Sequence, residues 1–195
     1  MMKRVFFTAL LITGMILTAA TQENRMWLGG TLSLSGQDNG QTQSTTTILP
    51  EFGYYNTGSA WAIGIRAGLT TQKTVVQDNT RRVNTTTVAP FARYNFVDSD
   101  GFRLFGQAEL PLQFFGGRHY DGSSMDSSNA IGFRVRPGLS YMLSEKWGFN
   151  MLMPSVLNFV QHSDNGSAYS FGINDGYTIQ AYLLSTSIGF IYYLR

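Results

Sequence analysis

The chain has 195 residues, no cysteine, 14 basic and 12 acidic residues, and a formal net charge of +2 at pH 7. That length suits one domain, and the lack of cysteine excludes disulfides, thiolate metal sites and a lipid anchor on an N-terminal cysteine. The near-neutral balance excludes a broad nucleic-acid surface.

The first element is an export signal. Lys3 and Arg4 precede an apolar run over Val5–Leu17, and Thr18-Ala19-Ala20 supplies small residues for cleavage after Ala20. The run is short for a spanning helix, which needs about 20 residues. Loss of residues 1–20 removes Lys3 and Arg4 from the 14 basic residues, leaving 12 against 12 acidic ones. No later segment is apolar enough for a spanning helix, so a membrane reading rests on strands, which must close to satisfy their backbone groups in lipid.

Eight alternating runs follow. In Met26–Ser35, Met26, Leu28, Gly30, Leu32 and Leu34 share one face; Trp27, Gly29, Thr31 and Ser33 share the other. The second run places Ile48, Pro50, Phe52 and Tyr54 together, the third Trp61, Ile63, Ile65, Ala67 and Leu69, and the fourth Val88, Pro90, Ala92, Tyr94 and Phe96. The fifth has Phe102, Leu104, Gly106, Ala108, Leu110 and Leu112; the sixth has Ile131, Phe133, Val135, Pro137, Leu139 and Tyr141. The seventh has Trp147, Phe149, Met151 and Met153, and the eighth Leu184, Thr186, Ile188, Phe190 and Tyr192.

These apolar faces carry no charge. The strand charges Glu51, Arg66, Arg93, Arg103, Glu109, Arg134 and Arg136 all lie opposite, among Gly29, Gly53, Gly64, Gly68, Gly132, Gly138, Gly148 and Gly189. Connections alternate between short turns (56–59, 98–101 and 144–146) and longer polar stretches (36–44, 71–84, 114–129 and 158–176). Aromatic residues flank every short turn: Tyr54, Tyr55 and Trp61; Tyr94, Phe96 and Phe102; Tyr141 and Trp147; then Tyr192 and Tyr193 at the C-terminus. Tyr and Trp favour the membrane–water interface. The pattern predicts an all-β fold, an eight-stranded antiparallel up-and-down transmembrane β-barrel with its charges inside. A soluble calyx would have to place the bulky apolar set in an interior wide enough only for filling side chains or one small ligand.

A phrase repeats at the strand ends: Pro50 to Tyr54, Pro90 to Tyr94 and Pro137 to Tyr141. Residues four apart share a strand face, so each proline and its tyrosine point outward together. Each proline also removes one ladder hydrogen bond, which points to bulges. These strand ends, the strands led by Trp61 and Trp147, and the final run Ser187–Tyr193 resemble the small outer-membrane β-barrel family of OmpX-like, Ail-like and OmpA-transmembrane-like barrels, over about residues 21–195. The resemblance implies one barrel domain over 21–195, a multi-pass outer-membrane location and insertion by the barrel-assembly machinery. The chain ends Tyr193-Leu194-Arg195, without the terminal aromatic usual in that family.

Glu51, Arg66, Arg93, Arg103, Glu109, Arg134 and Arg136 form the expected lumen network, either filling the barrel or lining a narrow porin-like path for small solutes. Tyr54, Trp61, Tyr94, Tyr141, Trp147 and Tyr192 form the expected interface belt. Lys73, Arg81, Arg82 and Arg118 fall in polar connections that should face lipopolysaccharide phosphates. Tyr120, Tyr169 and Phe171 offer contact surface for a host or cell-surface partner. His119 and His162, with Asp121, Ser123, Ser124, Asp126, Ser163 and Asp164 nearby, hold the ingredients of a Ser/His/acid site on lipid or of a cation site, without a motif for either. The expectation is a non-enzymatic protein without cofactor or metal, serving envelope integrity, surface interaction or adhesion through its loops.

Overall fold

A computed structural model describes residues 24–38, 42–56, 58–77, 79–163, 166–171 and 186–194. The expected signal peptide, Leu184 and Asp164 lie outside them. The described residues form eleven strands: β1 Asn24–Asp38, β2 Thr42–Asn56, β3 Trp61–Val76, β4 Asn79–Ser99, β5 Phe102–Glu109, β6 Leu112–Arg118, β7 Ser128–Met142, β8 Trp147–Leu152, β9 Leu157–His162, β10 Gly166–Phe171 and β11 Ser187–Leu194. All of their pairings are antiparallel. A ring of paired neighbours runs β1–β2–β3–β4–β5–β7–β8–β11 and returns to β1.

The count is eleven strands against the eight expected, and the differences have local causes. The fifth run is interrupted at Leu110-Pro111. Its two pieces keep one register: Phe91 pairs with Glu109 and Val88 with Leu112 on β4, while Glu109 pairs with Arg134 and Leu112 with Ile131 on β7. β5 and β6 are therefore one line with a missing rung. The seventh run breaks differently. Gly138 pairs with Leu152 but Val135 with Leu157, so residues 153–156 make a bulge around Pro154. Arg136 holds the bulge, its Nε donating to the Met153 carbonyl at 2.8 Å. The connection expected at 158–176 contains β9 and β10.

The other long connections are mostly strand too. β1 and β2 pair out to Asp38 and Thr42, and β3 and β4 pair through Val76 and Asn79, so 36–44 and 71–84 are hairpin ends rather than loops. The 71–84 stretch is polar but rich in threonine and valine, whose branched side chains suit a pleated surface. The 114–129 connection shrinks to residues 119–127 between β6 and β7. The short turns fall where expected. Asp100 and Gly101 both take positive φ, 49° and 81°, as a two-residue hairpin turn matched to strand twist requires.

The repeated prolines now have a physical account. Pro90 faces Ile65 on β3; on its other side its carbonyl accepts the Leu110 amide at 3.0 Å, and only the return bond is absent. Pro137 likewise accepts from Met153 N at 3.0 Å. The β2–β3 ladder skips Leu49 and Pro50 without changing register. None of the three prolines shifts the register of its own strand at its own position; the bulge of β4 lies further along, between Asn95 and Val97.

The two faces separate as charge and size dictate. Leu28, Leu32, Leu34, Ile48, Leu69, Ile131 and Phe190 are exposed on the outside, whereas Trp27, Phe91, Phe105, Leu152 and Ile191 are buried inside. The inward glycines make room for rings. Trp27 pairs directly with Gly53, Phe91 with Gly64 and Phe105 with Gly138. A Cβ on Gly53 would fall within the Trp27 ring, and one on Gly138 would lie 2.5 Å from Phe105. Each pair fits a large side chain over a bare backbone, so alternating sizes fill a narrow interior.

Candidate functional site

The interior charges converge between β2, β3, β4 and β5. Glu51 and Arg66 are direct cross-strand partners on β2 and β3, and both are buried. Arg66 spreads across the interior: Nη1 donates to Glu109 Oε1 at 2.9 Å, Nη2 to Thr31 Oγ1 at 3.1 Å, and Nε faces Glu51 Oε2 at 3.7 Å, an ion pair beyond hydrogen-bond reach. Glu51 Oε1 collects Trp27 Nε1 at 3.1 Å, Asn150 Nδ2 at 3.4 Å and Arg93 Nη2 at 3.5 Å. Glu109 also accepts Gln107 Nε2 at 2.6 Å and faces Arg136 Nη1 at 3.8 Å. Gln107 in turn accepts from Arg93 Nε and Nη2 at 2.9 and 2.7 Å. Buried charges persist only when paired and hydrogen-bonded in this way.

Arg93 has a second role. Its guanidinium sits 4.1 Å from the Phe105 ring centroid and 5.4 Å from those of Trp27 and Phe91. It therefore joins the charge layer to an aromatic layer of Trp27, Tyr55, Phe91 and Tyr193 below it. The cavity between Trp27, Tyr55, Arg93, Arg103 and Tyr193 is about 10 Å³, roughly room for a single water.

Two of the seven expected network members stand apart. Arg103 lies at the turn end, pairing with Asp98 at 2.9 Å and donating to the hydroxyls of Tyr193 and Tyr55 at 2.9 and 3.2 Å. Arg134, toward the other end, reaches only neutral acceptors, Asn158 Oδ1 at 2.9 Å and Gln113 Oε1 at 3.5 Å. The inward aromatics Phe91 and Phe105, and the amides Gln107 and Asn150, went unremarked in the charge pattern. Strand parity places all four on the charged face.

The outer belt is built of cross-strand aromatic pairs. Trp61 and Tyr94 pack as tilted rings 4.9 Å apart between centroids, Trp147 and Tyr192 at 4.8 Å, and Tyr141 and Phe149 at 5.9 Å. Tyr54 lies in the same band, opposite Met26 on β1 and Ile63 on β3. Tyr55 and Tyr193 do not belong to it. They are buried inside, one residue out of phase with Tyr54 and Tyr192.

The histidines lie away from this interior network. His119 is exposed in the 119–127 connection, and His162 ends β9 with its ring 5.8 Å from that of Phe115. Asp121 Oδ1 accepts the Ser123 hydroxyl at 2.6 Å and the Ser123 amide at 2.9 Å, which holds the carboxyl below its ordinary range. Ser123 therefore holds the turn through Asp121. Among the described residues no group of three or more His, Asp or Glu is placed to hold a metal ion. Lys73, Arg81, Arg82 and Arg118 are exposed on strands β3, β4 and β6 rather than on loops. Tyr120 and Tyr169 are exposed as well.

Comparison with known proteins follows the same lines. The crystal structure of Neisserial surface protein A (NspA) is similar with a TM-score of 0.50 at 10% sequence identity, over 87% of this chain and 93% of that one, a likeness of fold alone. No curated protein sequence matches. The family model described as "Outer membrane protein beta-barrel domain" matches residues 7–178. With its closed ring of strands, charged interior and apolar exterior, the chain belongs to the outer membrane protein beta-barrel domain family.

Proposed function

We propose that the chain is an eight-stranded transmembrane barrel of a Gram-negative outer membrane, exported by residues 1–20 and inserted by the barrel-assembly machinery. Its lumen is filled, and its role is non-enzymatic: envelope integrity, with surface interaction through the end opposite the aromatic belt. The observation that carries this reading is the inverted distribution of polarity. Glu51, Arg66 and Glu109 are each about 3% exposed, while Leu34 is 71% and Phe190 64% exposed. Soluble monomers rarely leave an apolar surface of that extent uncovered. From Met26 to Leu34 the apolar face runs about 27 Å along the strand at 3.4 Å per residue, which a tilt of about 40° turns into about 21 Å of height, most of the roughly 25 Å apolar band of outer-membrane barrels.

A narrow channel is the second reading, favoured by the run of polar side chains from Arg103 through Arg93 and Arg66 to Arg134. The guanidiniums that would line such a path also fill it, because their carboxylate and amide partners are supplied from the same wall. Planar-bilayer recordings separate the two. Protein whose gel mobility changes on boiling, and so is folded, is expected to give no unitary current steps. Stable steps from that same protein would replace the filled-lumen reading with the channel. Lipid A mass profiles unchanged by His119→Ala and His162→Ala are expected; an altered profile would mark an enzyme.

A further inference from the structure

The outer face of β3, β4 and β6 changes character in three steps. Leu69, Thr86 and Phe114 are direct cross-strand neighbours. Two residues further along come Thr71, Asn84 and Gly116, with Thr71 Oγ1 donating to Asn84 Oδ1 at 3.0 Å. The next row is Lys73, Arg82 and Arg118. Apolar, small polar and cationic rows therefore succeed one another across the same three strands. The cationic row lies about 13 Å of strand beyond Leu69 and Phe114. Arg81 is not part of it: it pairs with Thr74 and points to the other face.

All three cations are exposed, and among the described residues none makes an ion pair or a side-chain hydrogen bond. Like charges set directly opposite one another on a sheet destabilise it. Strands about 4.8 Å apart put the three within about 10 Å. An anion with several acceptor oxygens between adjacent members turns that repulsion into charge-assisted hydrogen bonds, and arginine's forked donors suit phosphate. The row's height selects the source of that anion. It lies where lipid chains end and headgroups begin if the apolar face meets lipid, so the inference rests on the barrel reading above.

We propose that Lys73, Arg82 and Arg118 form a phosphate-binding row for the phosphorylated sugar headgroup of an outer-leaflet lipid. The probe is lipid A carrying its phosphates, titrated into full-length detergent-solubilised protein and followed by native mass spectrometry. The comparison ligand is the same lipid A stripped of phosphate. Wild-type protein is expected to bind the phosphorylated form about tenfold more tightly. Lys73→Ser/Arg82→Ser/Arg118→Ser is expected to lose that preference, and Arg81→Ser to keep it. Equal binding of the two lipids by wild type would overturn the row, and this arm stands even where the triple variant does not fold. Displacement of lipid A by millimolar inorganic phosphate would make free phosphate the ligand and overturn the lipid assignment. Boiling separates the underlying failure: wild type without a heat-modifiable form overturns the barrel and the row together, whereas a heat-modifiable wild type indifferent to lipid phosphate overturns the row alone.

Discussion

Arg66 Nη1 and Glu109 Oε1 meet at 2.9 Å across the interior, reaching from β3 past β4 to β5, with both side chains 3% exposed. The pair ties two strands that are not neighbours. It does so in a layer closed off from bulk solvent. Removing one partner of such a pair leaves the other buried and uncompensated.

Glu109→Ala is therefore expected to destabilise the folded protein by about 3–5 kcal/mol, the usual cost of breaking a buried pair. Glu109→Gln, which keeps an acceptor for Arg66 while removing the charge, is expected to cost less. Urea unfolding in detergent, followed by loss of the heat-modifiable band, measures both. Equal stability of wild type and Glu109→Ala would show that the network contributes nothing to the fold.

Gly53 permits the Trp27 ring to lie over the β2 backbone. A methyl group there forces the ring off its site, and overpacking of this kind costs about 1–3 kcal/mol. Gly53→Ala in a Trp61→Phe/Trp147→Phe background is expected to lower the melting temperature and to red-shift the remaining Trp27 emission. An unchanged spectrum would mean that the ring does not pack where the structure puts it.

The rung missing at Pro90 is a loss toward β5 only, because the Leu110 amide still reaches the Pro90 carbonyl. Pro90→Ala supplies a donor facing an existing acceptor, but frees the unfolded chain by about 0.4–1 kcal/mol. The two effects nearly offset, so stability is expected to change by no more than about 1 kcal/mol. The new amide at position 90 is expected to be protected from hydrogen exchange. Rapid exchange there would show that the strand is open at this point for a reason other than the proline.

Much of this was legible in the sequence because a strand has only two faces. The parity of Trp27 against Leu28, or Arg66 against Ile65, fixes which side each takes once one side is known to be apolar. Composition misled where it stood in for parity. The threonine-rich stretches around Thr71 and Thr85 are polar yet form paired strands, and Tyr55 and Tyr193 are aromatic near a turn yet point inward. The partners of the charges were the least legible part. Glu51 with Arg66 and Arg134 with Asn158 are direct neighbours in register, but Arg66 with Glu109 depends on how far a long side chain reaches across a closed interior.

The orientation of the two faces is the point on which everything else depends, and the three tryptophans report it. Trp27 is 2% exposed inside the ring; Trp61 and Trp147 are 59% and 53% exposed outside it. Three single-tryptophan proteins, each with the other two changed to phenylalanine, are to be reconstituted in vesicles of brominated phosphatidylcholine. Emission from Trp61 and Trp147 is expected to be quenched by the bromines, with Trp27 unaffected. Quenching of Trp27 with Trp61 and Trp147 untouched would turn the molecule inside out and contradict the lipid-facing exterior.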